Sequence, residues 1–510
     1  MNNKEKQKTS FIEKVGAKLP DINIIFLILT LVVIVLSFFM QGEYNFSTAP
    51  QVEVVNFLSV SGFDWIIHNM TDNFVKFAPL GLVLISVIGT GVAEKTGFFG
   101  ALIKRLGIKV SDKLLIPITI FLGVMSSIAS DVGYIILLPL AGLLFLGLNK
   151  NPLLGIIAAF AGVSAGFGAN LFPTPGDALL GGITREAIAA NGIPFALSDV
   201  TMNLYFMIAS TFLLSLVGWF ITVKFVKPFL DKRSYIVPNE FKEEHSSHNS
   251  KVENKALNYA LISLVIYIII VAILYFTGCL NAPLDDKGHI ILNGQAEVAK
   301  YSNLLLDNLI VFMVFAFLIP GLVYGFVTGK VRKGRDYIRL TEEGFKDNAG
   351  IILIAFFAGN FINIFTQTGL GKLIASSGAE FLQTSGLNNY PILLLIAFIA
   401  LTAIINLFMG SASAKWLILA PIFVPLLYQA NNQLTPDIIQ AAYRIADSST
   451  NIITPLMSYM PIIIILMQKF DKKFNIGTMI QVMGKYSIGF LISWTLLLIV
   501  FYTFHIPFGV

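Results

Sequence analysis

The apolar residues of this chain fall in blocks about as long as a bilayer is thick, separated by short polar connections. Continuous apolar spans can be drawn at 22–41, 74–94, 152–170, 199–226, 257–277, 303–327, 348–367, 436–467 and 479–503. Two further apolar stretches, 114–148 and 391–429, are too long for one crossing and too short for two crossings with a loop. Small and polar residues interrupt each at its middle: Ser126, Ser127, Ser130 and Asp131 in the first, Gly410, Ser411, Ser413 and Lys415 in the second. Non-helical backbone at membrane depth is tolerated only where it is buried in protein or faces a cavity, so both stretches are predicted to be re-entrant hairpins. The predicted fold is an all-α polytopic membrane protein with nine transmembrane helices and two re-entrant hairpins.

Charge orients this layout. With the N-terminus inside, the segments 1–20, 95–113, Lys150, 224–256, 330–346 and 469–485 are cytoplasmic, and they hold 28 of the 35 lysines and arginines. The outer loops 42–73 and 428–442 hold none. This is the asymmetry of the positive-inside rule, and an error of one span would scramble it. The first hairpin then enters from the cytoplasm and the second from outside, so the two are oppositely oriented.

An internal repeat explains that opposition. A shift of 282 residues aligns Pro139 with Pro421, Pro173 with Pro455, Asp131 with Ser413 and Tyr134 with Trp416. A shift of 272 aligns Thr96 and Gly97 with Thr368 and Gly369. Matching hairpins of opposite orientation point to an inverted repeat whose polar breaks meet near mid-membrane. The chain accordingly divides into 1–73, scaffold with the first span; 74–190, the first repeat; 191–346, scaffold spans with a cytoplasmic loop at 228–256; 347–467, the second repeat; and 468–510, the last span.

Candidate chemistry sits where polarity is out of place. The second broken span carries Arg444 and Asp447 in an apolar run, where each charge costs at least ~2.5–3.5 kcal/mol unless it finds a partner, water or a ligand. Their spacing of three puts both on one helix face, where they can partly neutralise each other. The first broken span reads Gly162 to Asp177, with Pro173, Pro175 and several glycines that prevent a regular helix and free carbonyls for a cation. Asn170, Thr174 and Asp177 add oxygens there; the plainer alternative is a kink at the membrane edge with Asp177 in water. Trp416 is either an interfacial anchor or the wall of an aromatic pocket. The serine clusters read as ligands or as close helix packing.

Composition narrows the function. Apolar residues make up 55% of the 510, only 13% are charged, and the longest hydrophilic stretch is too short for a soluble domain, so function must lie in the membrane. The net charge of +5 is no argument for nucleic-acid binding, and the single cysteine, Cys279, excludes an intrachain disulfide and a cysteine metal cluster. The apolar run 22–40 is longer than the core of a cleavable signal and lacks a cleavage pattern. No phosphate-binding Gly-x-x-x-x-Gly-Lys-Ser/Thr loop is present, which excludes ATP-driven transport within the chain. Intramembrane aspartyl proteolysis by Asp177 and Asp447 fails because position 174 is not the first Gly of a Gly-x-Gly-Asp pattern, no Tyr directly precedes Asp447, and Arg444 would keep Asp447 ionised. A channel fits proline-broken helices less well than alternating access does.

At Gly168-Ala-Asn-Leu-Phe-Pro-Thr-Pro-Gly-Asp177, Gly410-Ser-Ala-Ser-Ala-Lys-Trp416 and Tyr443-Arg-Ile-Ala-Asp-Ser-Ser-Thr-Asn451 the chain resembles the p-aminobenzoyl-glutamate transporter (AbgT) family. The resemblance implies a homodimer in a bacterial cytoplasmic membrane, each protomer having a dimerising scaffold and a transport core. It implies import of p-aminobenzoyl-glutamate or export of sulfonamide-type antimetabolites, driven by sodium or protons, with no other cofactor. The residues transferred by motif are Asp177, Ser413, Trp416, Arg444, Asp447 and Pro455, with Asn406 as a further ligand. Arg444 is expected to pair with a substrate carboxylate. Asp177, Asp447, Asn170 and Ser130 are expected to serve coupling, with a sodium ion at Asp177, Asn170, Asn406 and Asp447 as one form of it. A membrane hydrolase of the same aromatic amide and a carrier of another small organic anion are the competing functions.

Overall fold

The computed structural model describes residues 22–46, 51–107, 114–129, 133–237, 251–284, 300–347, 349–409, 411–454, 457 and 459–510. The expected site residues Ser130 and Pro455 lie outside the described residues, as do Asp131, the whole N-terminal segment 1–20 and the middle of the 228–256 loop.

Of the described residues, 77% are helical. Five described helices are long and apolar enough to cross a bilayer: Leu204–Leu230, Lys251–Phe276, Val311–Thr328, Ala412–Ala430 and Ile476–Thr503. A sixth arises if Ile352–Gln367 and Leu370–Thr384, which meet at 64°, are counted as one span. Ile262, Val265, Ile266, Ile269 and Ile273 stand exposed along Lys251–Phe276, an apolar face that lipid can solvate and water cannot. The protein is a multi-pass membrane protein. Ala412–Ala430, expected as one limb of a hairpin, reaches spanning length by itself and holds Pro421 and Pro425 in its interior.

Two halves of the chain run through the same order of elements. Ala78–Thr96 ends on Gly97 at φ 88° and Phe98–Gly107 follows; Gly350–Gln367 leads to Gly369 at φ 75° and Leu370–Thr384 follows. Next come two helices parted by a polar break, Leu115–Met125 with Leu138–Gly147 in one half, Pro391–Asn406 with Ala412–Ala430 in the other. A broken helix closes each: Pro152–Phe160, extended by a π-helical turn to Ala165, then Pro175–Asn191; and Pro436–Asn451, then Met460–Phe470.

Proline has a different part here from the one the sequence suggested. Pro152, Pro175, Pro391 and Pro436 stand at the starts of helices, where the missing N–H is one that no helical carbonyl would have received. The first broken span therefore does not stop at 170; it resumes at Pro175 and runs to Asn191. The sequence reading also treated 42–73, 95–113 and 368–390 as connections. They contain a two-stranded hairpin pairing Gly42–Tyr44 with Val52–Val54, and the helices Val60–Val75, Phe98–Gly107 and Leu370–Thr384. These helices mix apolar and polar faces, so a search for continuous apolarity passes over them.

The core gathers around the broken helices. Every residue of Pro152–Phe160 is buried, as is every residue from Pro436 to Thr450. The second of these brings Asp437, Gln440, Arg444, Asp447, Ser448, Ser449 and Thr450 inside with it. Buried polar groups must be satisfied by partners, and which partners they take defines the site.

Candidate functional site

Asp177 is placed by local sequence. Thr174 caps Pro175–Asn191: its side chain accepts from the Asp177 N–H at 3.3 Å, while its own N–H and hydroxyl donate to Asp177 Oδ2 at 2.6 and 2.7 Å. One carboxylate oxygen is thereby spent on the cap. The other, Oδ1, receives Arg444 Nη1 at 2.5 Å. Asp177 is 2% exposed, so it does not lie in water at a membrane edge.

Arg444 is held on every side. Its Nε and Nη2 donate to Gln440 Oε1 at 3.1 and 3.0 Å, one helical turn back, and Nη1 also touches Met207 Sδ at 3.4 Å. Gln440 Nε2 donates to Thr184 Oγ1 at 2.6 Å, and the same hydroxyl oxygen accepts Trp416 Nε1 at 2.9 Å. One chain of hydrogen bonds thus joins Trp416, Thr184, Gln440, Arg444, Asp177 and Thr174 across three separate elements. Trp416 is fully buried with its ring 4.4 Å from that of Tyr443, which removes the interfacial-anchor reading.

Arg444 and Asp447 do not neutralise each other along their helix as the spacing suggested. Asp447 instead meets Lys415 Nζ at 2.5 Å, both buried. The contact is a buried ion pair between the ammonium and Asp447 Oδ1. Lys415 Nζ also donates to Met409 O at 2.8 Å and to Asn406 Oδ1. Asn406 Nδ2 points the other way, to Asp447 O at 2.6 Å, Thr450 Oγ1 at 2.7 Å and Asn451 Oδ1 at 3.0 Å. Two cations and two carboxylates thus form two ion pairs, each between distant parts of the chain. Breaking one by removing a partner typically costs about 3–5 kcal/mol, because a buried charge is left alone.

A small cleft lies between the broken helices, lined by Phe167, Gly168, Asp177, Tyr443, Arg444, Asp447 and Ser448 among others. Its free space is about 10 Å³, room for about one water. Gly168 lets the two broken helices pack closely there: a Cβ would come within 2.6 Å of Ser448 Oγ and 3.2 Å of Arg444 Cβ. Ser448 Oγ and Ser449 Oγ are buried without a hydrogen-bond partner among the described residues.

The expected sodium ligands do not all meet. Asp177 and Asp447 line the one cleft, but Asn170 turns to Ser127, donating Nδ2 to Ser127 Oγ at 2.5 Å, and Asn406 faces Lys415. Among the described residues, no three His, Cys, Asp or Glu side chains are grouped to hold a metal. The set that fits a small cation is Asn406 Oδ1, Met409 O and Asp447 Oδ1, which already surround an ammonium. Ser413 lies in the first turn of Ala412–Ala430, 3.5 Å from Ser411 and outside the cleft lining. Thr184 and Gln440 were not anticipated. A signal was available for each: Gln440 is a polar residue four positions before Arg444, and Thr184 is two helical turns after Asp177 on the same face.

The profile of the AbgT putative transporter family matches residues 8–510. The chain is 31% identical over 505 residues to the p-aminobenzoyl-glutamate transport protein of Escherichia coli (strain K12), covering 98% of this chain and 95% of that one. It is similar in structure to the YdaH transporter of Alcanivorax borkumensis, described as having an unusual topology, with a TM-score of 0.86 and 33% identity over 96% of this chain and 100% of that one. MtrF of Neisseria gonorrhoeae, described as illuminating a class of antimetabolite efflux pumps, gives a TM-score of 0.83 and 35% identity over 96% of each chain. These relatives are transporters and not enzymes, which sets the hydrolase reading aside. The chain belongs to the AbgT putative transporter family.

Proposed function

We propose that the chain is an ion-gradient-driven secondary transporter of p-aminobenzoyl-glutamate or related aromatic carboxylates, including sulfonamide-type antimetabolites, that works by alternating access. The observation that carries this reading is the Arg444–Asp177 pair, a guanidinium and a carboxylate 2.5 Å apart at the wall of a cleft between two broken helices. A guanidinium suits a carboxylate cargo, which it grips by two parallel hydrogen bonds. A cargo carboxylate that takes Arg444 leaves Asp177 with the Thr174 cap but without a counter-charge, which favours uptake of a proton or a cation there. Cargo and coupling ion are thereby tied to one exchange of partners.

The cleft is too small for an aromatic ring, so cargo enters only when the elements around it separate. The proposed topology is nine spans and two oppositely oriented re-entrant hairpins, arranged as inverted repeats, with a cytoplasmic N-terminus in the bacterial inner membrane. The charge asymmetry and the recurring element order support it. The scaffold of a homodimer would use apolar helix faces left uncovered in the single chain, such as that of Lys251–Phe276.

Proteoliposomes and radiolabelled p-aminobenzoyl-glutamate test the function. Gradient-dependent movement of intact label is the expected result, and imposing sodium and pH gradients separately identifies the ion. Label that never moves under either gradient counts against this cargo, and movement of another small organic anion would support the runner-up.

A further inference from the structure

Lys415 is a full charge at the tip of the second helical pair, and the exchange at Arg444 makes no use of it. Its side chain is completely buried, and three oxygens converge on Nζ: Asp447 Oδ1 at 2.5 Å, Met409 O at 2.8 Å and Asn406 Oδ1. The Asn406 amide is fixed in this sense, because its Nδ2 faces three acceptors, Asp447 O, Thr450 Oγ1 and Asn451 Oδ1, and a flipped amide would turn an acceptor onto them. The oxygens come from the helix Pro391–Asn406, from Met409 just after it and from the helix Pro436–Asn451. One anionic oxygen, one amide oxygen and one backbone carbonyl around a point form a donor set for a small hard cation. An ammonium on a four-carbon tether fills that point.

We propose that Lys415 is a tethered occupant of a cation cage formed by Asn406, Met409 and Asp447, so that the lysine and a sodium ion exclude each other there. The inference rests on the reading of Asn406 and Asp447 as cation ligands and on nothing about the cargo. Its consequence is mechanical. Lys415 lies in the first turn of Ala412–Ala430, directly after the break, so withdrawing its ammonium moves the tip, and sodium binding becomes conditional on the tip's position. A purely structural ion pair makes the opposite prediction: removing the ammonium destroys a contact and creates no new site.

Thermal unfolding of the purified full-length protein against sodium chloride, with choline chloride as the control for ionic strength, tests this without cargo. Lys415→Met is expected to be stabilised by sodium with a midpoint at about tenfold lower concentration than the wild type, and the added change Asp447→Asn is expected to abolish that response. A Lys415→Met midpoint equal to or above that of the wild type overturns the proposal. Should the variant fail to fold, the wild-type chain decides: labelling of Lys415 by an amine-reactive ester, read by peptide mass spectrometry, is expected to rise with sodium and not with choline. Labelling that sodium leaves unchanged or lowers overturns the proposal. Both readouts omit cargo, so a negative result in proteoliposomes would count against the proposed transport and leave this result standing.

Discussion

Arg444 is the residue on which the site turns, and its surroundings allow sharp tests. Asp177→Asn removes the counter-charge and faces the guanidinium with a neutral amide; a loss of about 3–5 kcal/mol in stability is expected, together with loss of gradient-dependent uptake. Unchanged uptake by a folded variant would remove the pair from the mechanism. Gly168→Ala drives a methyl against Ser448 Oγ at 2.6 Å and Arg444 Cβ at 3.2 Å, a cost of about 1–3 kcal/mol. Adding Ser448→Ala relieves the first contact, so the double variant should recover part of the melting temperature, whereas strictly additive losses would argue that the contact is absent. The sequence marked Arg444 and Asp447 as misplaced charges and paired them with each other, and it read Asp177 as a cation ligand or a carboxylate in water. Spacing along a helix shows which residues share a face; it carries no information about a carboxylate 267 residues away.

At the scale of elements, the two left-handed glycines make a matched pair with unequal tolerance. A Cβ on Gly97 meets Lys330 Nζ at 3.3 Å, the mobile end of a side chain, and Tyr324 Cε1 at an ordinary 4.0 Å, so Gly97→Ala should cost chiefly the unfavourable φ, about 1–2 kcal/mol. A Cβ on Gly369 lands 2.1 Å from Glu53 O in the backbone of the small hairpin, beside the Val55 N to Thr368 O bond of 3.0 Å. Gly369→Ala should therefore destabilise more than Gly97→Ala in thermal unfolding, and equal effects would mean that the hairpin yields. Element identity was legible where apolarity is continuous: Ile22–Phe39, Lys251–Phe276 and Ile476–Thr503 lie within a few residues of the predicted spans. It was illegible where helices are amphipathic, as in Val60–Val75 and Leu370–Thr384, and where proline starts a helix rather than ending one, as at Pro175.

For the whole molecule, the proposed orientation puts the only cysteine outside. Cys279 is exposed just beyond Lys251–Phe276, at the far end from the cytoplasmic loop. A membrane-impermeant maleimide added to intact spheroplasts should label the wild-type chain without any engineered cysteine. Labelling only after permeabilisation would invert the topology and with it the assignment of the hairpin entrances. By itself the sequence determined that the chain is a multi-pass membrane protein, where its apolar runs break, that Arg444 and Asp447 are charges in an apolar run and to which family it belongs. All of these follow from the local cost of placing polar groups in an apolar run and from contiguous motifs. Only the tertiary structure decided that Arg444 holds Asp177, that Lys415 rather than Arg444 holds Asp447, and that Thr184 and Gln440 wire Trp416 to the pair. A buried charge must be matched by another, but any of several would serve energetically, and the match is made by whichever group the packing of distant helices brings within reach.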